Sequence, residues 1–341
     1  MRIFRLGDRG PEVHDIQQRL VALGSHVDGS ELDGTFGPST EAAVRAFQAS
    51  RNLQVDGRVG DDTWAQLVEA GYRLGDRTLY LRAPLHRGDD VRALQRKLNA
   101  LGFDAGKQDG LFGPRTDHAV REFQRNVGEE PDGIVGNDTL TLLERMRPTD
   151  TGPGRAVVRE AEALRTMRAM SIEGQVVAID RGPTPDHAIE AVARSVMDAL
   201  VEELSRVGAK PVRLDDDDRR GSSARARMAN ELGASLCLSV TLVSADARST
   251  GPACSFFGSA STHSPAGMQL AQLILDELER ATGRAGRTHR LTSAMLRETR
   301  MPAVQVEPLG EADDRSQLAD PDVPALVAAA IAAGVSRFFA D

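Results

Sequence analysis

One passage of this chain is written twice. Asp33-Gly34-Thr35-Phe36-Gly37-Pro38, Thr40, Val44, Phe47-Gln48, Asp56-Gly57 and Val59-Gly60 return in order as Asp109-Gly110-Leu111-Phe112-Gly113-Pro114, Thr116, Val120, Phe123-Gln124, Asp132-Gly133 and Val135-Gly136. Each of these markers recurs 76 residues later. The similarity starts upstream of them, with Gly7-Asp8, Val13, Ile16-Gln17, Leu20 and Leu23-Gly24 against Gly88-Asp89, Val91, Leu94-Gln95, Leu98 and Leu101-Gly102. A period of this length fixes the architecture before any other reading, because each copy must be a supersecondary unit with its own apolar face.

Within each copy the grammar is helix, loop, helix, loop, helix. Val13, Ile16, Leu20 and Leu23 fall at helical spacing, and Gly24 can close that helix. Asp33-Gly34 and Gly37-Pro38 are turn chemistry. Thr40 opens a second helix with Val44, Phe47 and Leu53 on its apolar side. Asp56-Gly57 turns again, and Asp61 or Asp62 can cap a short helix with Trp64 and Leu67. A three-helix bundle follows for each copy. The order and spacing of these residues resemble the peptidoglycan-binding domain, over residues 5–70 and 85–145. The resemblance implies a wall ligand, a peptidoglycan fragment or precursor. It assigns no contacting residue, since most of these positions also serve as turn and core.

The remaining length suits a further domain: the chain has 341 residues, 40% of them apolar. The net charge of −8 argues against a nucleic-acid groove. The Asp215–Asp218 run followed by Arg219-Arg220 reads as a solvated loop. Cys237 and Cys254, the two cysteines, sit in apolar surroundings and read as buried reduced thiols. The repeat has begun by residue 7, which leaves no room for a secretory signal, so a cytoplasmic protein is expected. No transmembrane segment is expected either, since the apolar stretch Val323–Val335 is short.

Residues 147–156 are a Pro/Gly-rich linker, followed by a helical stretch at Val157–Met170. Strands are then expected at Val176–Asp180, Lys210–Leu214, Leu236–Val240, Ala253–Phe257 and Ala303–Glu307. Helices alternate with them at Ile189–Val207, Ser223–Leu232, Gly267–Ala281 and Pro324–Phe338. This part resembles the zinc N-acetylmuramoyl-L-alanine amidases. The resemblance rests on Ile179-Asp180-x-Gly182, Gly208, Arg225-x-x-x-Ala229-Asn230, Leu236–Val240 and Arg297-x-Thr299-Arg300-x-Pro302-Ala303-Val304-x-Val306-Glu307. The expected fold is multidomain: two small all-α three-helix domains at 1–72 and 73–146, a linker and helix at 147–170, and an α/β amidase-like domain at 171–341 with a central sheet flanked by helices.

The resemblance implies three zinc ligands: a His in the first loop, a Glu opening the next helix, and a His ending the third strand. A glutamate on a later strand then acts as general base. Three of these four positions have changed. The loop His is Pro183, the helix Glu is Ile189 (with Glu190 one step away), and the strand-end His is Thr241. Only Glu307 keeps the catalytic glutamate position. Proline, isoleucine and threonine cannot replace imidazole and carboxylate around zinc. No metal or other cofactor is therefore expected, and the reading is a pseudoenzyme. Zinc, and hydrolysis of the lactyl-L-alanine amide, belong to the alternative. A relocated site from His187, Glu190 and either His263 or His289 is conceivable, and Glu307 is alternatively a strand-end carboxylate held by Arg297 or Arg300.

The overall layout is similar to an actinobacterial branch of the family that acts inside the cell with degenerate ligands. That similarity implies a regulator of peptidoglycan synthesis whose partner is the enolpyruvyl transferase of precursor synthesis. In that branch a Thr-rich C-terminal tail is phosphorylated. This sequence stops at Phe338-Phe339-Ala340-Asp341 without one, so either a tail is missing or regulation differs.

Overall fold

The computed structural model describes residues 2–146, 162, 164–167, 169–182, 187–214, 221–242, 251–259, 262–309, 320 and 322–340, with backbone alone at 187–189. The chain forms two compact units, Met1–Ser50 with Gly57–Glu162, and Arg51–Asp56 with Ala163–Asp341. The linker, the Asp215–Asp218 run and Pro183 lie outside the described residues.

In the first unit each repeat contains three helices: α1 (Pro11–Ala22), α2 (Pro38–Ser50) and α3 (Asp61–Glu69), then α4 (Asp89–Ala100), α5 (Pro114–Val127) and α6 (Asn137–Arg145). Phe36, Val44, Phe47, Val59 and Leu67 are buried in the first repeat, and Phe112, Val120, Phe123, Val135 and Leu143 at the matching places in the second. Four buried glutamines explain the turns. Gln17 accepts from the Gly34 N–H at 3.2 Å and donates to the carbonyls of Glu31 and Thr35 and to the Thr40 hydroxyl. Gln48 does the same for Gly57, Arg58 and Thr63. Gln95 holds Gly110, Leu111 and Thr116, and Gln124 holds Gly133 and Ile134. The four glycines have φ between 72° and 88°, the left-handed region that favours glycine. Each side chain thus satisfies turn amides and carbonyls that burial would otherwise strand.

The second unit holds a six-stranded sheet in the order β2-β1-β3-β6-β4-β5, from β1 (Val176–Arg181), β2 (Lys210–Arg213), β3 (Leu236–Val240), β4 (Ala253–Phe257), β5 (Arg287–Leu291) and β6 (Ala303–Glu307). All pairs are parallel except β4 with β6, so the sheet is mixed. Helices α7 (His187–Arg206), α9 (Pro265–Thr282) and α11 (Val323–Ala340) cover one face. Their core includes Val196, Leu200, Ile274 and Ile331 against Ile179, Leu238 and Val304. The other face carries α8 (Ser222–Glu231) and the short α10 (Ala294–Glu298), with Ala226, Ala229 and Leu296 over Ala178, Cys237 and Ala303. The central sheet flanked by helices is as the sequence predicted.

Two elements were not expected, β5 and α10. The α11 helix also runs further than its apolar core suggests, and over 18 residues it is long and apolar enough to cross a membrane. Half of it is buried here, and Gly334 lies so close to α9 that an added Cβ would meet Ile274 Cα at 2.6 Å. Arg337 near its end pairs with Glu277 of α9 at 2.9 Å. Cys237 and Cys254 are free and buried. Burial, with the charge of Asp180 for the first and Glu307 for the second, pushes both thiols far above their usual range.

Candidate functional site

Strand alternation sends every second residue of the sheet toward α8 and α10. Register then aligns Asp180, Ser239, Gln305, Ser255 and His289 in one row across five strands. The row below it is apolar (Ala178, Cys237, Ala303, Phe257 and Leu291), and it anchors the helices of that face. Hydrogen bonds join neighbours in this row as two pairs. Arg225 of α8 donates to Asp180 at 2.5 Å, Ser239 donates to the same carboxylate at 3.1 Å, and Ser255 shares a 2.8 Å hydrogen bond with His289. Asp180 is 1% exposed, and Arg225 gives it a cationic partner.

Two residues further along lies the C-terminal edge of the parallel strands. Here the chain places Gly182, Thr241 and Glu307 side by side. The Gly182 amide donates to Val240 O at 2.8 Å, and the Thr241 amide to Val306 O at 2.9 Å. Glu307 is buried, and the Gln305 amide donates to its carboxylate at 3.2 Å. Gln305 is thus one partner of Glu307. The Arg300 amide binds Asn230, whose own amide reaches Glu298 O, so the Arg225–Asn230 and Arg297–Arg300 motifs brace α8 against the loop before β6.

The residues at this edge do not fit zinc. Thr241 is 4% exposed and its hydroxyl has no hydrogen-bond partner. The hydroxyl packs on Gly182, so tightly that a Cβ at Gly182 would collide with it. A neutral hydroxyl pressed on backbone is a poor ligand for a site that needs imidazole or thiolate. Ile189 lies on α7, but its side chain, like all of Pro183, is outside the described residues. Of the relocated cluster, the His187 side chain lies outside the described residues. Glu190 pairs with Arg194 at 2.7 Å and Arg181 at 3.7 Å. His263 bridges to Gly258, past the end of β4 remote from Glu307, while His289 lies in the polar row. Among the described residues no group of three or more His, Cys, Asp or Glu converges.

Sequence reasoning named Asp180, Arg225 and Asn230 as landmarks without their roles. It missed the polar row entirely, although serine, glutamine and histidine inside otherwise apolar strands were its signal.

Comparison with known proteins agrees with this layout. The profile of the putative peptidoglycan binding domain matches residues 9–67 and 87–143, and that of N-acetylmuramoyl-L-alanine amidase matches residues 180–337. The chain is 36% identical to N-acetylmuramoyl-L-alanine amidase CwlM of Mycobacterium tuberculosis, over 98% of this chain and 89% of that protein. It is 34% identical to N-acetylmuramoyl-L-alanine amidase CwlL of Bacillus licheniformis over 42% of this chain and 46% of the other. Among solved structures, the amidase Ami1 of Mycobacterium smegmatis aligns over 50% of this chain and 99% of its own, with 19% identity and a TM-score of 0.42. The chain belongs to the N-acetylmuramoyl-L-alanine amidase family, with two peptidoglycan-binding domains ahead of the amidase domain.

Proposed function

We propose that this chain is a non-catalytic member of its family, one that binds peptidoglycan or its precursors and regulates wall synthesis from the cytoplasm. Its protein partner in this reading is the enolpyruvyl transferase of precursor synthesis. The observation that carries the non-catalytic part is Thr241, whose hydroxyl is buried against Gly182 beside Glu307 where the family pattern puts an imidazole. Without a metal-bound water, Glu307 has no acid strong enough to deprotonate at neutral pH. The peptidoglycan-binding repeats support the ligand class. The regulatory role and the transferase rest on likeness to the intracellular branch of the family. The second reading, an active zinc amidase, draws on the retained Glu307 at the strand edge.

Elemental analysis of protein purified without chelator separates the two readings. Zinc well below one per chain, and no muropeptide hydrolysis, is the expected result. Stoichiometric zinc with hydrolysis would overturn the proposal. Restoration tests the mapping: Pro183→His, Ile189→Glu and Thr241→His together should take up zinc where the parent does not. Pull-down from native cytoplasm, probed for the transferase, tests the partner.

A further inference from the structure

The two repeats differ in the segment ahead of their first helices, and the difference builds a surface. In the first repeat Phe4 pairs with Val59, and Phe36 N–H donates to Asp8 O. In the second, Leu79 pairs with Val135, and Phe112 N–H donates to His86 O. These pairings make His86 the counterpart of Asp8, Tyr80 that of Arg5, and Ile134 that of Arg58. The connecting loop is three residues longer in the second repeat. Where the first repeat presents two arginines, the second presents Tyr80, Leu81 and Ile134, each about two-fifths exposed (40%, 41% and 42%). Such a platform suits the apolar face of a ring.

Behind it lies a polar group that the fold does not satisfy. His86 is 6% exposed, its ring stands edge-on to Tyr80 at 5.1 Å between centroids, and neither ring nitrogen has a hydrogen-bond partner. Leaving two polar atoms buried and unpaired is costly, so the arrangement points to a ligand. Burial lowers the basicity of His86, and Arg82 and Arg77 lower it further against the opposing pull of Asp90. The ring is therefore neutral at pH 7 and offers one donor and one acceptor. That pair suits an uncharged partner carrying amide and hydroxyl groups better than a carboxylate.

We propose that the second repeat carries, at Tyr80–His86, a binding site for an uncharged N-acetylated sugar unit. Tyr80, Leu81 and Ile134 receive the apolar ring face, and His86, uncovered as the Tyr80 side chain turns aside, bonds the acetamido and hydroxyl groups. This deepens the wall-binding reading and rests on it.

The test titrates the full chain with the disaccharide of β-1,4-linked N-acetylglucosamine while following the histidine ring signals by NMR. His86 is assigned by the loss of its signal in His86→Phe. Saturable movement of the His86 signals with a roughly millimolar Kd is expected. Tyr80→Ala should weaken binding about tenfold. Tyr80→Arg with Ile134→Arg, which imports the first repeat's residues, should abolish it, while Arg5→Ala leaves it unchanged. Co-sedimentation with insoluble peptidoglycan runs in parallel. A chain that sediments with the wall while His86 stays unmoved refutes this site and leaves the wall-binding reading standing. If neither occurs, both fall. Movement of His86 without sedimentation supports the sugar site and refutes wall binding. Binding that survives the double arginine variant overturns the assigned location.

Discussion

Replacing Gln17 by leucine should cost the first repeat about 2–4 kcal/mol, and the structure shows why. The side chain is completely buried and makes four hydrogen bonds. Leucine has nearly the same volume and helix propensity, so packing and propensity change little. What changes is the turn. The Gly34 N–H loses the acceptor that held it, and a stranded buried donor costs roughly 1–3 kcal/mol. The carbonyls of Glu31 and Thr35 lose bonds worth about 0.5–1.5 kcal/mol each, partly regained from water at the edge of the site. Thr40 keeps its bond to Glu31 and contributes least. The added apolar burial offsets about 1 kcal/mol, which leaves the stated range. The assay is urea unfolding followed by tryptophan fluorescence. The chain has a single tryptophan, Trp64 on α3, with the Arg19 guanidinium 5.2 Å from its ring, so the signal reports the first repeat. Gln18→Leu, one residue along on the exposed side of α1, is the control and should move stability by less than about 0.5 kcal/mol. Equal effects from the two substitutions would refute the claim that the glutamine clamps the turn.

Two further outcomes follow from local geometry. Partial burial pushes the Glu31 carboxyl up, but hydrogen bonds from Ser39 and Thr40 at the start of α2 outweigh it and hold the pKa at about 2 instead of 4.5. The folded value lies below the unfolded one, so this stabilisation is full above pH 4.5 and is lost as pH falls toward 2; Glu31→Gln should flatten the acid dependence of the Trp64 transition in that window, and an unchanged slope would count against the assignment. At the sheet edge, Gly182→Ala should destabilise the amidase domain by about 1–3 kcal/mol through collision with the Thr241 hydroxyl, and Thr241→Ala should recover part of the loss in the same background. Strictly additive effects in thermal unfolding would mean that the two residues do not press on each other.

How much of this was legible in the sequence depended on which signal each element carries. The repeat was readable because its markers are turn and core residues at fixed spacing, and helices α2, α3, α5 and α6 begin at the same 76-residue offset. The first helix pair is offset by 78, because the loop before α2 is two residues longer than its counterpart before α5. Strands β1, β3, β4 and β6 announced themselves as short runs rich in apolar residues. Strand β5 did not, since Arg287-Thr288-His289-Arg290-Leu291 sits at the sheet edge and only Leu291 is fully buried. An edge strand needs no apolar alternation, so periodicity had nothing to find. The short helix α10 is fixed by its Ser293 cap and by packing against α8, a tertiary cause that leaves little local trace.

The same distinction separates what the candidate site showed early from what it hid. Pro183, Ile189 and Thr241 are legible as chemistry, because a residue type either can or cannot bind a metal. The Asp180–Arg225 pair is a matter of register and of where α8 lands, and those are set by the fold. On the proposed non-catalytic reading, together they account for how an amidase scaffold could lose its ligands and persist. The sheet is held by a buried ion pair and by Ser239 on the same carboxylate near the edge that bears Glu307, and by the Asn230 braces at the opposite end of β6, all made by the chain itself. None of these contacts passes through a metal. Losing zinc would therefore leave this network intact, and the residues free to change would be those whose only task was to hold the ion.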